Sequence, residues 1–591
     1  MGVPSYFSYI VKNYPNIIKR YNKSVLNVDN LYLDCNSIIY DIYAKMKTDD
    51  LTDSISNSII KGVISKIEYY IETIDPKQQV IVAFDGVAPV AKLEQQRNRR
   101  YKSWYQNEIT RDIFNKDKPD PWNTTAITPG TKFMSELNTK VSAHFDKLAT
   151  DKLATDKLAT DKLATAKLAT DKLATDKLAT DKLATDKLAT DTPTSMKGPN
   201  IIVSGSNLVG EGEHKLFDYI RKNPVKHSDQ VSVIYGLDAD LIMLSINHLP
   251  VSPKTYLFRE TPHFIGSIDS ELEPNADYFL DIPELTEAIV SYMNSDKELT
   301  TEQKKSVSQR NKIYDYIFLG FFLGNDFMPH FPAVNIRTGG VDKMMNAYRA
   351  TIGPNENLCD GKTIYWNNVR KMIQFLVNLE EQYIIVEHKS RNSKERHLMP
   401  TAGTTPEEKF KRFEATPVFE RDMEKYINPM KPYWQSRYYR GLFGIKSDTN
   451  DLQKKDIAVN YLQGLEWTMK YYTTGCADWR WRYKYNYPPL LQDLIKHVPV
   501  FNTEFIVDKP ANPVTEIVQL CYVLPRTQLS LLPPKLVSEL LRHKDHWYKG
   551  NCDFVWAYNK YFWESHVEMN EIDINELEQF LADNKHLLLE K

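Results

Sequence analysis

Cysteine is scarce, with five residues in a chain of 591: Cys35, Cys359, Cys476, Cys521 and Cys552. Their number is odd, they lie far apart and no two form a CxxC pair, so neither a disulfide framework nor a cysteine zinc site is expected. Long apolar runs are missing too: mean hydropathy is −0.48, and no stretch of about 18 apolar residues marks a membrane helix. The opening MGVPSYFSYIVKNYP has no basic segment followed by an apolar one, as a secretory signal would, and Tyr6 stands where a myristoylation motif needs Ser or Thr. Net charge is nearly absent, with 75 Lys and Arg against 77 Asp and Glu. A nucleic-acid partner would therefore have to be met by local clusters, not by a basic whole. What is present, 42% apolar and 26% charged residues, suffices for a sizeable core at a length that favours two or more domains. Together these features predict a soluble intracellular protein without a membrane partner.

A tandem pentapeptide runs from Asp146 to Thr190 as eight copies of DKLAT and one of AKLAT. On a helix each unit turns through about 500°, so its leucines build no apolar stripe. The array is expected to be a disordered or weakly helical surface loop. Around it lie short runs without alternation: Asn30 to Asp34, Gln79 to Asp85, Asn200 to Ser204 and Val231 to Tyr235. Such runs suit strands buried on both faces of a parallel sheet. Helix-like stretches separate them, for example Ile55 to Ile71 and His214 to Arg221. The alternation predicts a doubly wound, mainly parallel α/β domain over residues 1–350, whose ligand site lies beyond the carboxyl ends of the strands. A connecting helical segment over 351–430 and a mainly helical module rich in Trp and Tyr over 431–591 are expected to follow.

Seven carboxylates stand beside these runs or in glycine turns. They are Asp34, Asp85, Glu211 and Glu213 in VGEGEHK, Asp238 and Asp240 in GLDADLIML, and Asp326 in FFLGNDFMPHFP. One acid after a strand is commonly a helix cap, but seven in sequence are a different matter. Gathered in one pocket they would repel one another unless a cation compensated them. Ligand sets made only of oxygen suit Mg²⁺ or Mn²⁺, and two such ions support phosphodiester hydrolysis. Asp315 reads as a helix-start residue, and His214 and Lys215 as supporting or surface groups. Shortly after Asp85, PVAKLEQQRNRRYKSW begins a helix whose Lys92, Gln96, Arg99 and Arg100 fall at i, i+4, i+7 and i+8 on one face. Such a face could cradle a terminal phosphate, or could simply be solvated; Arg97 projects elsewhere.

These motifs resemble the Xrn-type 5′-to-3′ exoribonucleases. The resemblance runs through the opening residues, NLYLDCNSI, FDGVAPVAKLEQQRNRR, ITPGTKFM, GEGEHK, YGLDADLIML, FFLGNDFMPHFP, WQSRYYRGLFGI, YLQGLEWTMKYYTTGCADWRWRYKYNYPP and the late WES at Trp563. It implies a PIN- or flap-nuclease-like core in which the seven acids hold two Mg²⁺ ions, with Mn²⁺ as a substitute. Lys92, Gln96, Arg99 and Arg100 would bind the 5′-monophosphate of a single-stranded RNA, which is degraded to nucleoside 5′-monophosphates in mRNA decay. Tyr40, where the family has a stacking His, Trp479 and, as second choice, Trp481 would stack bases, which tolerates any sequence. A monomer is expected, with a decapping enzyme upstream; the basic run at 97–102 is taken up by the phosphate pocket and not by a nuclear signal, which favours the cytoplasm over the nucleus.

Departures are visible as well. YNYPP, with Asn486, stands where the family has a YHYAP-like motif, and the pentapeptide array replaces a short connection. The chain ends soon after the family's second shared region, whereas cellular members continue. Its composition and tandem expansion match an AT-rich genome such as that of a large DNA virus. Two other readings of the residues stay open: a flap-type DNA nuclease, and a catalytically inactive protein that binds RNA 5′ ends.

Overall fold

The computed structural model describes residues 5–23, 26–46, 54–115, 122–148, 198–263, 265–295, 306–397, 403–446, 451–548, 550 and 552–588. Apart from its first three residues, the pentapeptide array lies outside the described residues.

Seven strands form one sheet: β1 (Ile18–Arg20), β2 (Asn30–Asp34), β3 (Gln79–Ala83), β4 (Asn200–Ser204), β5 (Ser232–Tyr235), β6 (Thr255–Glu260) and β7 (Asp277–Asp281). Their order is β1-β7-β6-β5-β2-β3-β4. The five strands from β6 to β4 are parallel, while β7 and β1 add an antiparallel edge. From β2 the chain first builds outward through β3 and β4, then returns to build β5, β6 and β7 on the other side. The turning point between β2 and β5 opens a crevice at the carboxyl edge, where ligands bind in such sheets.

The unbroken apolar runs follow from burial on both faces. Leu31, Leu33, Val80, Val82, Val233 and Tyr235 enter one core with the Ile55–Ile74 helix. Tyr32, Ile81 and Ile234 point the opposite way, into a second core with the Gly212–Lys222, Asp240–His248 and Val307–Phe321 helices. Each side chain so buried contributes roughly 1.5–3 kcal/mol. The second core continues without a break into the long helices Trp366–His397 and Asp451–Thr473. From Ile457 onward the latter is buried on nearly every side, which removes the one-sided pattern of a surface helix.

A third core joins Val87, Ala88, Val90 and Leu93 to residues between Val514 and Leu581, so the segment after β3 is anchored by the distant end of the chain. A small antiparallel pair, β8 (Asp553–Val555) and β9 (His566–Glu568), belongs to that end. All five cysteines are free, three of them buried. Among the described residues no helix is long and apolar enough to cross a membrane.

One local expectation is overturned. Asp315 does not start a helix: it sits within Val307–Phe321, fully buried. Its carboxylate accepts from Tyr348 Oη (2.6 Å), Asn357 Nδ2 (2.8 Å) and the backbone N–H groups of Leu358 (2.7 Å) and Cys359 (3.0 Å). It ties the helix to the following loop, contacts that no spacing rule foresees.

Candidate active site

The carboxyl edge collects the acids by simple chain geometry. β2 ends on Asp34, and Asp85 comes two residues after β3. Beyond β4, Glu211 is the cap residue of the Gly212–Lys222 helix and Glu213 lies in its first turn. Asp238 follows β5, and Asp240 opens the next helix. Asp326 arrives in the turn after Val307–Phe321, where Gly324 takes φ +87° and a Cβ would meet His330 at 2.9 Å. All seven form one electrostatic group: Asp34 feels Asp85, Asp238 and Glu211; Glu213 feels Asp240, Glu211 and Asp238; and Asp240 feels Asp326.

Asn36 clamps Asp85, accepting from its backbone N–H (3.0 Å) and donating to Oδ2 (2.6 Å). Gly212 N–H donates to Asp85 Oδ1 at 2.7 Å. A side chain at Gly212 would put its Cβ 2.6 Å from Asp34 Oδ1, so only glycine lets this helix start so close to the acids. Tyr471 Oη donates to Glu211 Oε2 at 2.7 Å, and Lys215 Nζ holds the carbonyls of Phe84 and Gly205, both at 2.8 Å.

Burial pushes the Asp34 and Glu213 carboxyls well above the usual range, with neighbouring acids adding repulsion. Burial and then Asp326 raise Asp240 to about 7. Burial would raise Asp326 as well, but the Lys92 ammonium outweighs it and holds that carboxyl below the normal value. Lys92 Nζ lies 2.7 Å from Glu211 Oε1 and also bonds Asp326 Oδ2.

The donor set fits a divalent cation. Asp34 Oδ1 and Asp240 Oδ1 are sealed from solvent without a hydrogen-bond partner, a costly state that a cation relieves. One oxygen each from Glu211 and Glu213 and one nitrogen of His214 lie within 4.8 Å of one another. His214, expected only as a supporting residue, is thus part of the cluster; its ring packs on Tyr471 at 3.7 Å between centroids. Burial pushes its imidazole well below its ordinary pKa, leaving it neutral and able to ligate.

The basic helix spans Val90–Phe114, with Pro89 as its cap residue. Its periodicity separates two faces as the spacing requires, but at unequal depth. Lys92 is 8% exposed and sits among the acids, not on an open phosphate surface. Gln96 meets Gln519 at 3.4 Å. Arg99 is exposed and Arg100 half-buried, and both interact with Tyr40, itself 36% exposed on the Asn36–Lys45 helix. Arg97 points to the far side, 2% exposed, donating to the carbonyls of Asn570 (2.9 Å) and Trp547 (3.1 Å).

The two tryptophans part company. Trp479 is half-buried and lines a cleft of about 510 Å³ beside His214 and Lys215. Trp481 is only 8% exposed, stacks on Trp467 at 5.1 Å and presses against Gly464. One ring face is taken by Trp467, and its low exposure leaves less ring for a base than Trp479 offers.

Asn36, Tyr471 and His214 are the site residues that sequence reasoning passed over or set aside. Asn36 and His214 had a signal, each standing within three residues of a candidate acid. Tyr471 had none, since it reaches Glu211 across 260 positions.

Residues 1–261 match the family described as XRN 5'-3' exonuclease N-terminus. Residues 307–428 and 420–583 match that described as Xrn1 helical domain. The chain is 25% identical over 647 residues to a 5'-3' exoribonuclease 2 homolog of Drosophila melanogaster, covering 91% of this chain and 66% of that protein. It is 24% identical to 5'-3' exoribonuclease 1 of Saccharomyces cerevisiae, covering 90% of this chain and 40% of that one. Against 5'-3' exoribonuclease 1 of Homo sapiens the figures are 27%, 90% and 31%. The chain therefore spans between about a third and two thirds of the length of these relatives.

Proposed function

Because the chain belongs to the XRN 5'-3' exonuclease family, we propose that it removes nucleotides one at a time from the 5′ end of single-stranded RNA carrying a 5′-monophosphate. The observation that carries this reading is the convergence of seven carboxylates on one sheet edge, with a cationic helix face beginning among them.

In this reading Asp34, Asp85, Glu211, Glu213, Asp238, Asp240 and Asp326 hold Mg²⁺, with Mn²⁺ as a substitute and His214 at the edge of the set. When bound, the ions supply an activated water and neutralise the oxygen that leaves the phosphorus. The chain's own groups provide the rest. Asn36 and Gly212 N–H orient Asp85, Tyr471 orients Glu211, and Lys215 pins the turns after β3 and β4 on which the acids stand. Arg99 and Arg100 receive the 5′-phosphate, for which a guanidinium fork is suited, while Gln96 and Lys92 border it. Tyr40 and Trp479 offer rings for bases. A decapping activity upstream would generate the required ends.

End-labelled RNAs bearing 5′-phosphate, 5′-hydroxyl or a cap, incubated with and without chelator, test the reading. Decay of the 5′-phosphate RNA alone, abolished by chelator, is expected. Equal decay of all three, or decay in chelator, would overturn it. DNA of the same sequence and end separates the flap-type alternative.

A further inference from the structure

A strand whose 5′ end is held at Arg99 and Arg100 must leave the site on its 3′ side, and three clefts border the acids. The first includes Asp326 but measures only about 170 Å³. Its Lys102 is bound to the carbonyls of Trp563 (2.7 Å) and Ser565 (2.8 Å), and its Arg337 is paired with Glu564. In the second, beside Trp479, Lys215 is committed to two carbonyls, Lys222 to Asp218 (2.6 Å) and Lys509 to Asp478 (2.7 Å).

The third is larger, about 730 Å³, and begins at Leu237, the neighbour of Asp238. Three of its four cations are paired, Arg20 with Glu273 (3.1 Å), Lys45 with Asp41 (2.7 Å) and Lys66 with Glu260 (3.2 Å). Arg259 differs. It lies near the carboxyl end of β6, beside the end of β5 that leads to Asp238. It is 7% exposed, and its guanidinium lies 3.9 Å over the ring of Phe7. Its one hydrogen bond among the described residues is from Nε to the Glu260 carbonyl at 3.5 Å, and among those residues no carboxylate lies within ion-pairing distance. Burying a cation without a close counter-charge is expensive, and burial pushes its pKa down to about 10 even with Asp238, Tyr235 and Glu260 opposing. A guanidinium held flat by an aromatic ring, with its fork uncommitted, is a receptor for a phosphate.

We propose that this third cleft carries the RNA strand on the 3′ side of the reacting nucleotide, with Arg259 as the residue that grips a backbone phosphate. The proposal rests on the exoribonuclease reading. It is tested by fluorescence anisotropy in chelator, so that nothing is degraded. The probes are a 5′-phosphorylated dinucleotide and a 5′-phosphorylated RNA of about 12 nucleotides, offered to the wild type, Arg259→Gln and Arg259→Lys.

Each substitution is expected to weaken binding of the longer RNA about tenfold. Arg259→Gln also makes its salt dependence shallower by about 0.7 in log–log slope, the share of one single-strand phosphate. Dinucleotide binding stays unchanged. Unchanged binding of the longer RNA, or equal weakening of both probes, would overturn the proposal. Should Arg259→Gln fail to fold, Arg259→Lys, which keeps the charge and loses the planar fork, decides alone by its affinity for the longer RNA. If the wild type binds both probes equally, this inference falls and the exoribonuclease reading survives; if it binds neither, both fall.

Discussion

Replacing Lys92 with methionine keeps most of the side chain's volume and removes its charge. In the metal-free protein that charge lies 2.7 Å from Glu211 Oε1 and bonds Asp326, with Lys92 only 8% exposed. Taking one partner from a buried ion pair costs about 3–5 kcal/mol. The acids can escape part of this cost by taking up a proton, so the loss depends on pH. In the wild type, Lys92 outweighs burial and holds Asp326 below its ordinary value, which is a stabilising contribution present at neutral pH and lost only on acidification. Without Lys92, burial and repulsion remain, and the Asp326 carboxyl rises instead. The deficit of Lys92→Met should therefore be about 3 kcal/mol or more near pH 8 and shrink toward pH 5. Urea unfolding in chelator, followed by tryptophan fluorescence, measures it. Saturating Mg²⁺ should reduce the deficit, since the acids left without the Lys92 charge bind a cation more tightly and so gain more stability by mass action. A deficit below about 1 kcal/mol in chelator near pH 8, or one that Mg²⁺ leaves untouched, would refute the assignment of Lys92 to the acid cluster.

Asp238→Ala should abolish hydrolysis while RNA still binds in chelator, because a ligand is lost and the cationic face is kept; a gel-shift assay beside an activity assay checks both. Arg100→Ala should reduce the preference for 5′-phosphate over 5′-hydroxyl RNA about 10- to 100-fold, the worth of a charge-assisted hydrogen bond, read from kcat/KM on the two ends. Arg97→Ala should leave that preference intact but lower stability by about 3 kcal/mol, since two buried carbonyls lose their donor; equal preference losses for the two variants would contradict the separation of helix faces. The metal-free protein should lose stability as pH rises from about 4 to about 7. Asp240 ionises near 3.8 when unfolded but only at about 7 when folded, and Asp34 and Glu213 shift the same way. Such raised acids favour the folded state at low pH and cease to do so as pH climbs through the folded value, so thermal melts in chelator should fall across that window and flatten with Mg²⁺.

Much of the fold was written in local pattern. Leu31, Tyr32 and Leu33 are consecutive apolar residues because successive side chains serve two different cores, and that two-sided burial is what an unbroken run signals. The strand ends then place Asp34, Asp85 and Asp238 with no further information. Glycine carries the rest of the local signal: Gly212 and Gly324 stand beside acids because no larger residue fits there. Asp315 and Trp481 were opaque for the opposite reason. Asp315 reads as a helix start and Trp481 as a second-choice base platform, and only partners 33 to 44 positions away for Asp315, or the stacking on Trp467 for Trp481, show what each does in the core.

Helical spacing gave the direction of Lys92, Gln96, Arg99 and Arg100 but not their depth. Periodicity is an angular measure, and all four residues share an angle. What separates them is the position of the helix against the sheet edge. Pro89 caps it and Val90 enters the third core, with Val90 N–H bound to the Trp479 carbonyl at 3.0 Å. The first turn is thereby driven down between Glu211 and Asp326, while two turns later Arg99 emerges at the surface. One straight helix thus presents a graded series of cations, from Lys92 buried against the metal ligands to Arg99 exposed near Tyr40. A phosphate held at the outer end and acids held at the inner end are then spaced by the rise of the helix, about 1.5 Å per residue over the seven residues from Lys92 to Arg99, or roughly 10 Å. Inserting one alanine between Gln96 and Arg99 would rotate the outer cations by about 100° while leaving Lys92 in place. The 5′-phosphate preference should then collapse, with Mg²⁺ binding measured by calorimetry unchanged; retention of the preference would show that the phosphate is not held from this face.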